Sequence, residues 1–393
     1  MIPRQAEKTL RRFAKGFPVI ILTGPRQSGK STLAQNVFKD KPYAALEDPD
    51  VRRFAQEDPR GFLAQFPDGA VLDEVQRCPD LLSYIQTLVD KDRRTGLFVL
   101  TGSQQLLLLE RVTQTLAGRA GVVTLLPFSL AELTSAGRAP SSLDELLFSG
   151  LYPPLHDRDL DAAPWLSSYL ATYVERDLRS ILGVRDLDAF QRFVRLCAGR
   201  SGQLLNLSSL GADSGVTHNT ARAWISVLQA SHLVHLLPPH HSNFSKRLVK
   251  TPKLYLTDPG LACSLLGIQS AAQITTHPLR GAIFETWIAG ELLKARYNRG
   301  LRSNLYFWRD RAGLEVDFLA EDGPRLCPLE AKSGATVSQD AFAALDAWRR
   351  LAGKAAGPAT LLHGGADRHQ RQGVSVLPWT ALGEDPLPVP GLC

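Results

Sequence analysis

Gly24-Pro25-Arg26-Gln27-Ser28-Gly29-Lys30-Ser31 lies between an apolar run that ends near Thr23 and an amphipathic stretch from Thr32 to Phe38. Its two glycines let backbone N–H groups close around a ligand, and the helix that follows adds the positive end of its dipole, which together make a cradle for phosphates. Gly24 through Thr32 would surround a nucleotide's phosphates, with Lys30 on the β- and γ-phosphates and Ser31 as a ligand to Mg²⁺. Farther on, the apolar run Ala70-Val71-Leu72 ends in Asp73 and Glu74. Asp73 suits the water shell of the metal and Glu74 the polarisation of an attacking water, the two tasks of nucleotide hydrolysis. A third run, Leu97-Phe98-Val99-Leu100, enters Thr101-Gly102-Ser103. If its strand lies between those of Lys30 and Asp73, Thr101 or Ser103 is placed to sense the γ-phosphate, although Thr-Gly-Ser also serves simply as a turn.

A second group of reactive residues lies near the C-terminus. Asp317 ends one apolar run, and Glu330 and Lys332 lie two apart in the next, hence on one face of a strand. Glu285 stands on the helix that precedes them. Converging acids with a lysine can hold Mg²⁺ and position water beside a phosphodiester. The arrangement resembles the restriction-endonuclease-like fold with its Asp, Glu-x-Lys signature, with Glu285 as the helix acid. It departs from the full pattern in having Val316 before Asp317. An active nuclease and a relic that binds nucleic acid or partners without cutting both remain open. Glu315, near Asp317, is read as pointing to the opposite face and is left out of the site.

Between these groups, Leu207 to Ile225 has the logic of a helix-turn-helix, with a first helix ending near Gly215 and Thr217 capping the second. Leu233 to Leu237 would open a wing. In a nucleic-acid reading His218, Asn219, Arg222 and Trp224 face a groove, while Lys246, Arg247 and Lys250 hold phosphates. Winged helices also serve as ATPase lids or protein docks. His232, His235, His240 and His241 lack a cysteine or carboxylate at ligand spacing, which argues against a metal there.

These residues require specific elements beneath them. The runs at 18–22, 43–46, 70–72, 97–100 and 122–125 are continuously apolar, the signature of a parallel α/β sheet covered on both faces. A helical stretch follows over roughly 128–200, broken at Gly150-Leu151-Tyr152-Pro153-Pro154. From Gly281 the expected order is helix 282–297, strands 305–308, 314–319 and 325–331, helix 339–351 and strand 360–362. The domain expectation is therefore a phosphate-binding core over 1–135, a helical lid over 136–186, a winged helix over 187–255 and a nuclease-like α/β domain over 256–393.

The chain has 393 residues, 44% hydrophobic and 21% charged, too long for one small module and too apolar for a disordered chain. No run is long enough to span a membrane, and Met1 to Gly16 is basic without an apolar signal core, so no membrane association and a cytoplasmic location are expected. Five dispersed cysteines without a CxxC pair argue for reduced thiols, against both a disulfide framework and a zinc site. The net charge of +6 is compatible with a polyanion partner but does not specify one.

Taken together, the Gly24–Ser31 loop, Leu72-Asp73-Glu74-Val75-Gln76-Arg77, Leu100-Thr101-Gly102-Ser103-Gln104 and Leu116-Ala117-Gly118-Arg119 resemble the bacterial and archaeal AAA+-type ATPases. More narrowly, they resemble the subgroup with an uncharacterised C-terminal domain. Pro127-Phe128-Ser129-Leu130 through Glu132 and Tyr173-Val174-Glu175-Arg176-Asp177 extend the likeness over nearly the whole chain. The resemblance implies an ATPase using ATP and Mg²⁺ that forms a homo-oligomer, a hexamer being one form, with an arginine reaching a neighbour's nucleotide. Arg119, Arg176 and Arg179 are the candidates, and the sequence does not choose among them. The function expected is ATP hydrolysis coupled to binding, remodelling or translocating DNA, branched DNA included. An ATP-dependent assembly switch that binds a protein or regulates transcription and an ATP-gated nuclease are the alternatives.

Overall fold

A β-branched or leucine-rich run cannot leave either face in water, so the runs at 19–23, 70–73 and 98–102 become strands buried throughout, while the two outer strands of the same sheet are partly exposed. The five are β1 (Val19–Thr23), β2 (Tyr43–Ala45), β3 (Ala70–Asp73), β4 (Phe98–Gly102) and β5 (Ala120–Thr124) of one parallel sheet, ordered β2-β3-β4-β1-β5. The computed structural model describes residues 1–102, 115–173, 186–240 and 249–392. Contacts divide the chain into two units. One holds Met1–Phe128 with Ala230–His232 and Arg296–Arg302, and the other holds Ser129–Gln229, Leu233–Ala295 and the residues from Ser303 onward.

In the first unit, strand alternation separates two cores. Ile20, Leu22, Val71, Val99 and Val123 pack under α1 (Ala6–Ala14) and α2 (Lys30–Val37), through Ala6, Leu10, Leu33 and Val37. Val19, Ile21, Leu72, Phe98 and Leu100 pack on the other face, where α3 (Leu81–Lys91) contributes Leu81, Leu82 and Ile85. This is the P-loop NTPase arrangement. β4 lies between β3 and β1, as the reading of Thr101 required.

The second unit begins with short helices over Leu130–Ser135, Leu143–Ser149, Pro153–Asp157 and Ala162–Tyr169. Next come α4 (Leu187–Gly199), α5 (Leu207–Ser214) and α6 (His218–Ala230), together with a three-stranded antiparallel sheet ordered β6-β8-β7. Its strands are β6 (Gln203–Leu204), β7 (Val234–Leu237) and β8 (Lys253–Leu256). Gly215 ends α5 in the left-handed conformation at φ 79°, and the Thr217 hydroxyl caps α6 by accepting from the Thr220 N–H at 3.1 Å.

The unit closes with α7 (Arg280–Tyr297) and a six-stranded mixed sheet, a separate α/β fold. Its strands β9 (Leu305–Arg309), β10 (Glu315–Asp322), β11 (Arg325–Lys332) and β12 (Ala359–His363) were expected from the sequence. β13 (His369–Arg371) and β14 (Val374–Pro378) were not, because the first contains no apolar residue and only pairing with the second defines it. Helix α8 (Asp340–Ala352) covers one face through Phe342, Leu345 and Trp348 against Val316, Leu319, Leu361 and Val376.

Two expectations are corrected here. Trp224 does not face a groove. It is 5% exposed, and its ring meets Phe190 and Phe193 edge-on at 5.1 and 5.0 Å, because its position on α6 falls on the apolar stripe shared with Ala221, Ile225 and Leu228. Glu315 is not excluded by alternation either. It stands two residues from Asp317 on β10, so the period of two puts both side chains on one face, and Lys253 Nζ lies within ion-pair distance of both.

Candidate functional site

The loop between β1 and α2 needs backbone shapes that few residues tolerate. Gly24, Gln27 and Gly29 have φ of 148°, 65° and 88°. A Cβ on Gly24 would lie 2.0 Å from the Leu125 carbonyl oxygen, so only glycine lets β1 turn there. Lys30, 5% exposed, donates from Nζ to the Pro25 carbonyl at 2.8 Å. Burial lowers its pKa to about 8, against the opposing pull of Glu74 and Asp73. Pro25 and Ser28 are buried, Arg26 and Ser31 half-buried, and Gln27 and Thr32 exposed. The Ser28 hydroxyl is buried without a hydrogen-bond partner among the described residues, as expected of a group whose partner is a ligand.

Asp73, at the end of β3, accepts from three hydroxyls. Ser31 Oγ reaches Oδ1 at 2.9 Å, Tyr43 Oη reaches Oδ2 at 2.5 Å, and Thr101 Oγ1 also donates to Oδ1. Burial and the Asp73 carboxylate together raise the Tyr43 phenol above its ordinary value. Glu74 takes the left-handed conformation at φ 54°. Its N–H donates to Thr101 Oγ1 at 3.4 Å, and its carboxylate accepts from the Gln76 amide. A hydroxyl and a carboxylate oxygen within hydrogen-bond reach at the loop's end are a donor set suited to Mg²⁺, which takes few protein oxygens and keeps its waters.

Arg4 secures the loop and was not suspected from the sequence. It is 8% exposed, donates to the Ser28 carbonyl at 2.8 Å and the Leu126 carbonyl at 2.6 Å, and lies over the Phe128 ring at 4.7 Å. No motif spacing marks an arginine so far upstream. The same holds for Tyr43, which reaches Asp73 only because β2 and β3 pair in parallel. Arg119 pairs within its own chain, donating from Nη2 to Asp90 Oδ2 at 3.0 Å. Ser103, Arg176 and Arg179 lie outside the described residues.

In the C-terminal sheet the expected acids meet, with additional company. Lys332 Nζ is 3.0 Å from Glu330 Oε1, the Ala331 N–H donates to Asp317 Oδ2 at 3.0 Å, and the Asp317 N–H reaches Glu330 Oε2 at 3.4 Å. Glu285 joins them through β8. Lys253 Nζ lies 3.0 Å from Glu285, 2.5 Å from Glu315 and 3.8 Å from Asp317, while Tyr255 donates to the same Glu285 oxygen. Glu315 also holds Arg309 at 3.0 Å. Burial and then the Asp317 charge push the Glu285 and Glu330 carboxyls upward. Burial alone would lower Lys253, but Glu285, Asp317 and Glu315 hold it above its ordinary value. A divalent metal does not fit here, because an ammonium already stands among the oxygens it would need. Among the described residues no group of three His, Cys, Asp or Glu side chains has metal-holding geometry.

On α6, Asn219 and Arg222 are exposed and His218 half-buried, and Lys250 is exposed. Lys246, Arg247 and His241 lie outside the described residues. His235 is half-buried, and desolvation lowers its pKa to about 4, while His240 pairs with Glu321 at 3.3 Å. No helix among the described residues is long and apolar enough to cross a membrane.

Residues 16–134 match an AAA domain family, 140–272 a domain of unknown function (DUF8612) and 280–382 a further domain of unknown function (DUF4143). The uncharacterized proteins Rv2008c of Mycobacterium tuberculosis and Mb2031c of Mycobacterium bovis are each 34% identical over 342 residues, which is 85% of this chain and 75% of the relative. Among solved structures, the Walker-type ATPase PABY2304 of Pyrococcus abyssi is similar over 67% of this chain and 96% of its own, at 15% identity and a TM-score of 0.44. The RuvB Holliday junction branch migration motor of Thermotoga maritima is similar over 59% and 89%, at 17% identity and a TM-score of 0.27.

Proposed function

Since the chain belongs to the same family as the uncharacterized protein Rv2008c of Mycobacterium tuberculosis and carries an AAA domain over residues 16–134, we propose that this P-loop ATPase couples ATP hydrolysis to binding and remodelling or translocating DNA, working as a homo-oligomer. The observation that carries the reading is the convergence of Lys30, Ser31, Asp73, Glu74 and Thr101 at the carboxyl ends of β1, β3 and β4, the inner strands of a single parallel sheet. Lys30 would leave the Pro25 carbonyl for the β- and γ-phosphates, and Glu74 would hold the attacking water and draw on its proton. Ser31 and Asp73 would hold Mg²⁺, which would supply charge neutralisation on the phosphates. Thr101 touches both Asp73 and the Glu74 N–H, so it links the two acids and would report to both whether a γ-phosphate is in place.

DNA contact is assigned to the α5–α6 pair with the β6-β8-β7 sheet, read as a winged helix, through the exposed Asn219, Arg222 and Lys250. His218, Lys246 and Arg247 complete the proposed set. Trp224 is removed from it, since its ring supports the fold from behind. A trans-acting arginine, Arg119, Arg176 or Arg179, belongs to the oligomeric part of the proposal. For Arg119 it requires exchange of Asp90 for a neighbour's phosphate. The C-terminal sheet would bind nucleic acid without cutting it, because Lys253 stands among its acids.

The test measures ATPase rate alone and with single-stranded, duplex and branched DNA over a range of salt. Stimulation together with salt-sensitive binding is expected. No stimulation, with a mass change on adding ATP and slow turnover, would favour the assembly switch instead.

A further inference from the structure

Four acids, Glu285, Glu315, Asp317 and Glu330, crowd the end of the β10–β11 pair where β8 meets α7. Like charges this close require a compensating cation. In metal-dependent phosphodiester chemistry that cation is divalent. Here the middle of the cluster holds the ammonium of Lys253, 2% exposed, within ion-pair distance of three of the four acids. We propose that Lys253 is the resident cation of this cluster, so that the C-terminal sheet is closed to divalent metal, and therefore to metal-assisted cleavage, for as long as β8 stays in place. The inference deepens the nuclease-like reading of Asp317, Glu330 and Lys332 and rests on it.

Three features separate this lysine from an ordinary surface ion pair. Its strand is held on both sides, Lys253 pairing with Leu237 on β7 and with Leu204 on β6, so the side chain is delivered by a fixed backbone. Tyr255, two residues along the same strand and therefore on the same face, donates to the Glu285 oxygen that Lys253 also contacts. That oxygen is spent on two donors, whereas Mg²⁺ demands short contacts to free oxygen lone pairs. The Phe307 ring lies 5.6 Å from Nζ and covers the ammonium on another side. Lys332 does not duplicate the role, since its contact is with Glu330 and it is the more exposed of the two. The charge needed to hold the acids together thus comes from a strand outside the C-terminal sheet, and a metal can enter only by displacing it.

The experiment titrates Mn²⁺ into the nucleotide-free full chain and follows bound metal by electron paramagnetic resonance, with circular dichroism as the check on folding. The wild type is expected to bind no Mn²⁺ that D317N removes. K253M/E315Q loses one charge of each sign and keeps Glu285, Asp317 and Glu330. It is expected to gain one Mn²⁺ per chain, bound at least about tenfold tighter than by wild type, and to lose it when D317N is added. K253M alone, with an acid left uncompensated, should melt below wild type and be raised by Mn²⁺ while wild type does not move. A D317N-sensitive Mn²⁺ in wild type would overturn the inference. So would a folded K253M/E315Q without metal, or a K253M midpoint indifferent to Mn²⁺. DNA stimulation of the ATPase is measured on the same wild-type preparation, and its failure would sink the functional reading while leaving the metal result standing.

Discussion

Lys30 leads to a pH dependence with a sign and a size. Without nucleotide its ammonium is buried and its pKa is lowered to about 8 by desolvation, from an ordinary value of 10.5. Triphosphate adds several negative charges beside Nζ, so in the complex the lysine stays protonated through the alkaline range. Binding ATP above pH 8 must then take up a proton, and affinity falls as pH rises. With a free pKa of about 8, Kd should rise about 25-fold, close to 2 kcal/mol, between about pH 7.5 and about pH 9.5. Working above pH 7.5 keeps the titration of the γ-phosphate out of the result. Stability of the nucleotide-free chain should move the other way. Between pH 8 and 10.5 the unfolded chain still holds the proton that the folded one has released, so this group favours the folded state more as pH rises and disfavours it below pH 8. The assay is a fluorescent-nucleotide titration without Mg²⁺ at several pH values, beside urea melts at the same values, with K30M as reference. A Kd that stays flat to pH 9.5 in the wild type, or one that rises equally in K30M, would refute the argument.

Two further substitutions test how the sites are supported. R4M leaves the Ser28 and Leu126 carbonyls without their charged donor. With hydrogen bonds to a charged group contributing ~1.5–3 kcal/mol each, it should lower the stability of the first unit by about 3 kcal/mol and weaken nucleotide binding, read by urea melts and the same titration. R222A should leave thermal melting unchanged and weaken duplex DNA binding, reducing the salt slope by about one. W224A should do the reverse in kind, losing ~3–5 kcal/mol of stability from the Phe190 and Phe193 contacts. Equal melting of W224A and wild type would show that the ring is not the support assigned to it.

The parts of this protein that were legible in its sequence are those whose reason is local. The loop from Gly24 to Ser31 announces itself because phosphate binding demands glycine at fixed offsets. The five apolar runs predict strands because a sheet covered on both faces must be apolar throughout. Gly215 and Thr217 mark the break between α5 and α6 because a helix end and a cap have their own residue preferences. Asp317, Glu330 and Lys332 were found for a similar reason, since period two along a strand is a local rule. The same rule places Glu315, two residues before Asp317, on the face of the acids, against its expected exclusion, and the ion pairs of Lys253 with both bear the rule out. Nothing in the spacing of Trp224 distinguished a groove from a core. Its partners Phe190 and Phe193 lie on α4, and only packing against that helix decided the matter. Arg4, Tyr43 and Lys253 were invisible for the same reason in stronger form. Each is far in sequence from the group it serves, and a charge or a phenol acquires its role from what burial and strand pairing bring within 3 Å of it. The sequence thus reveals chemistry that recurs at short spacing, whereas charge compensation in a buried site is a property of the assembled fold, because it depends on which distant backbone delivers the opposite charge.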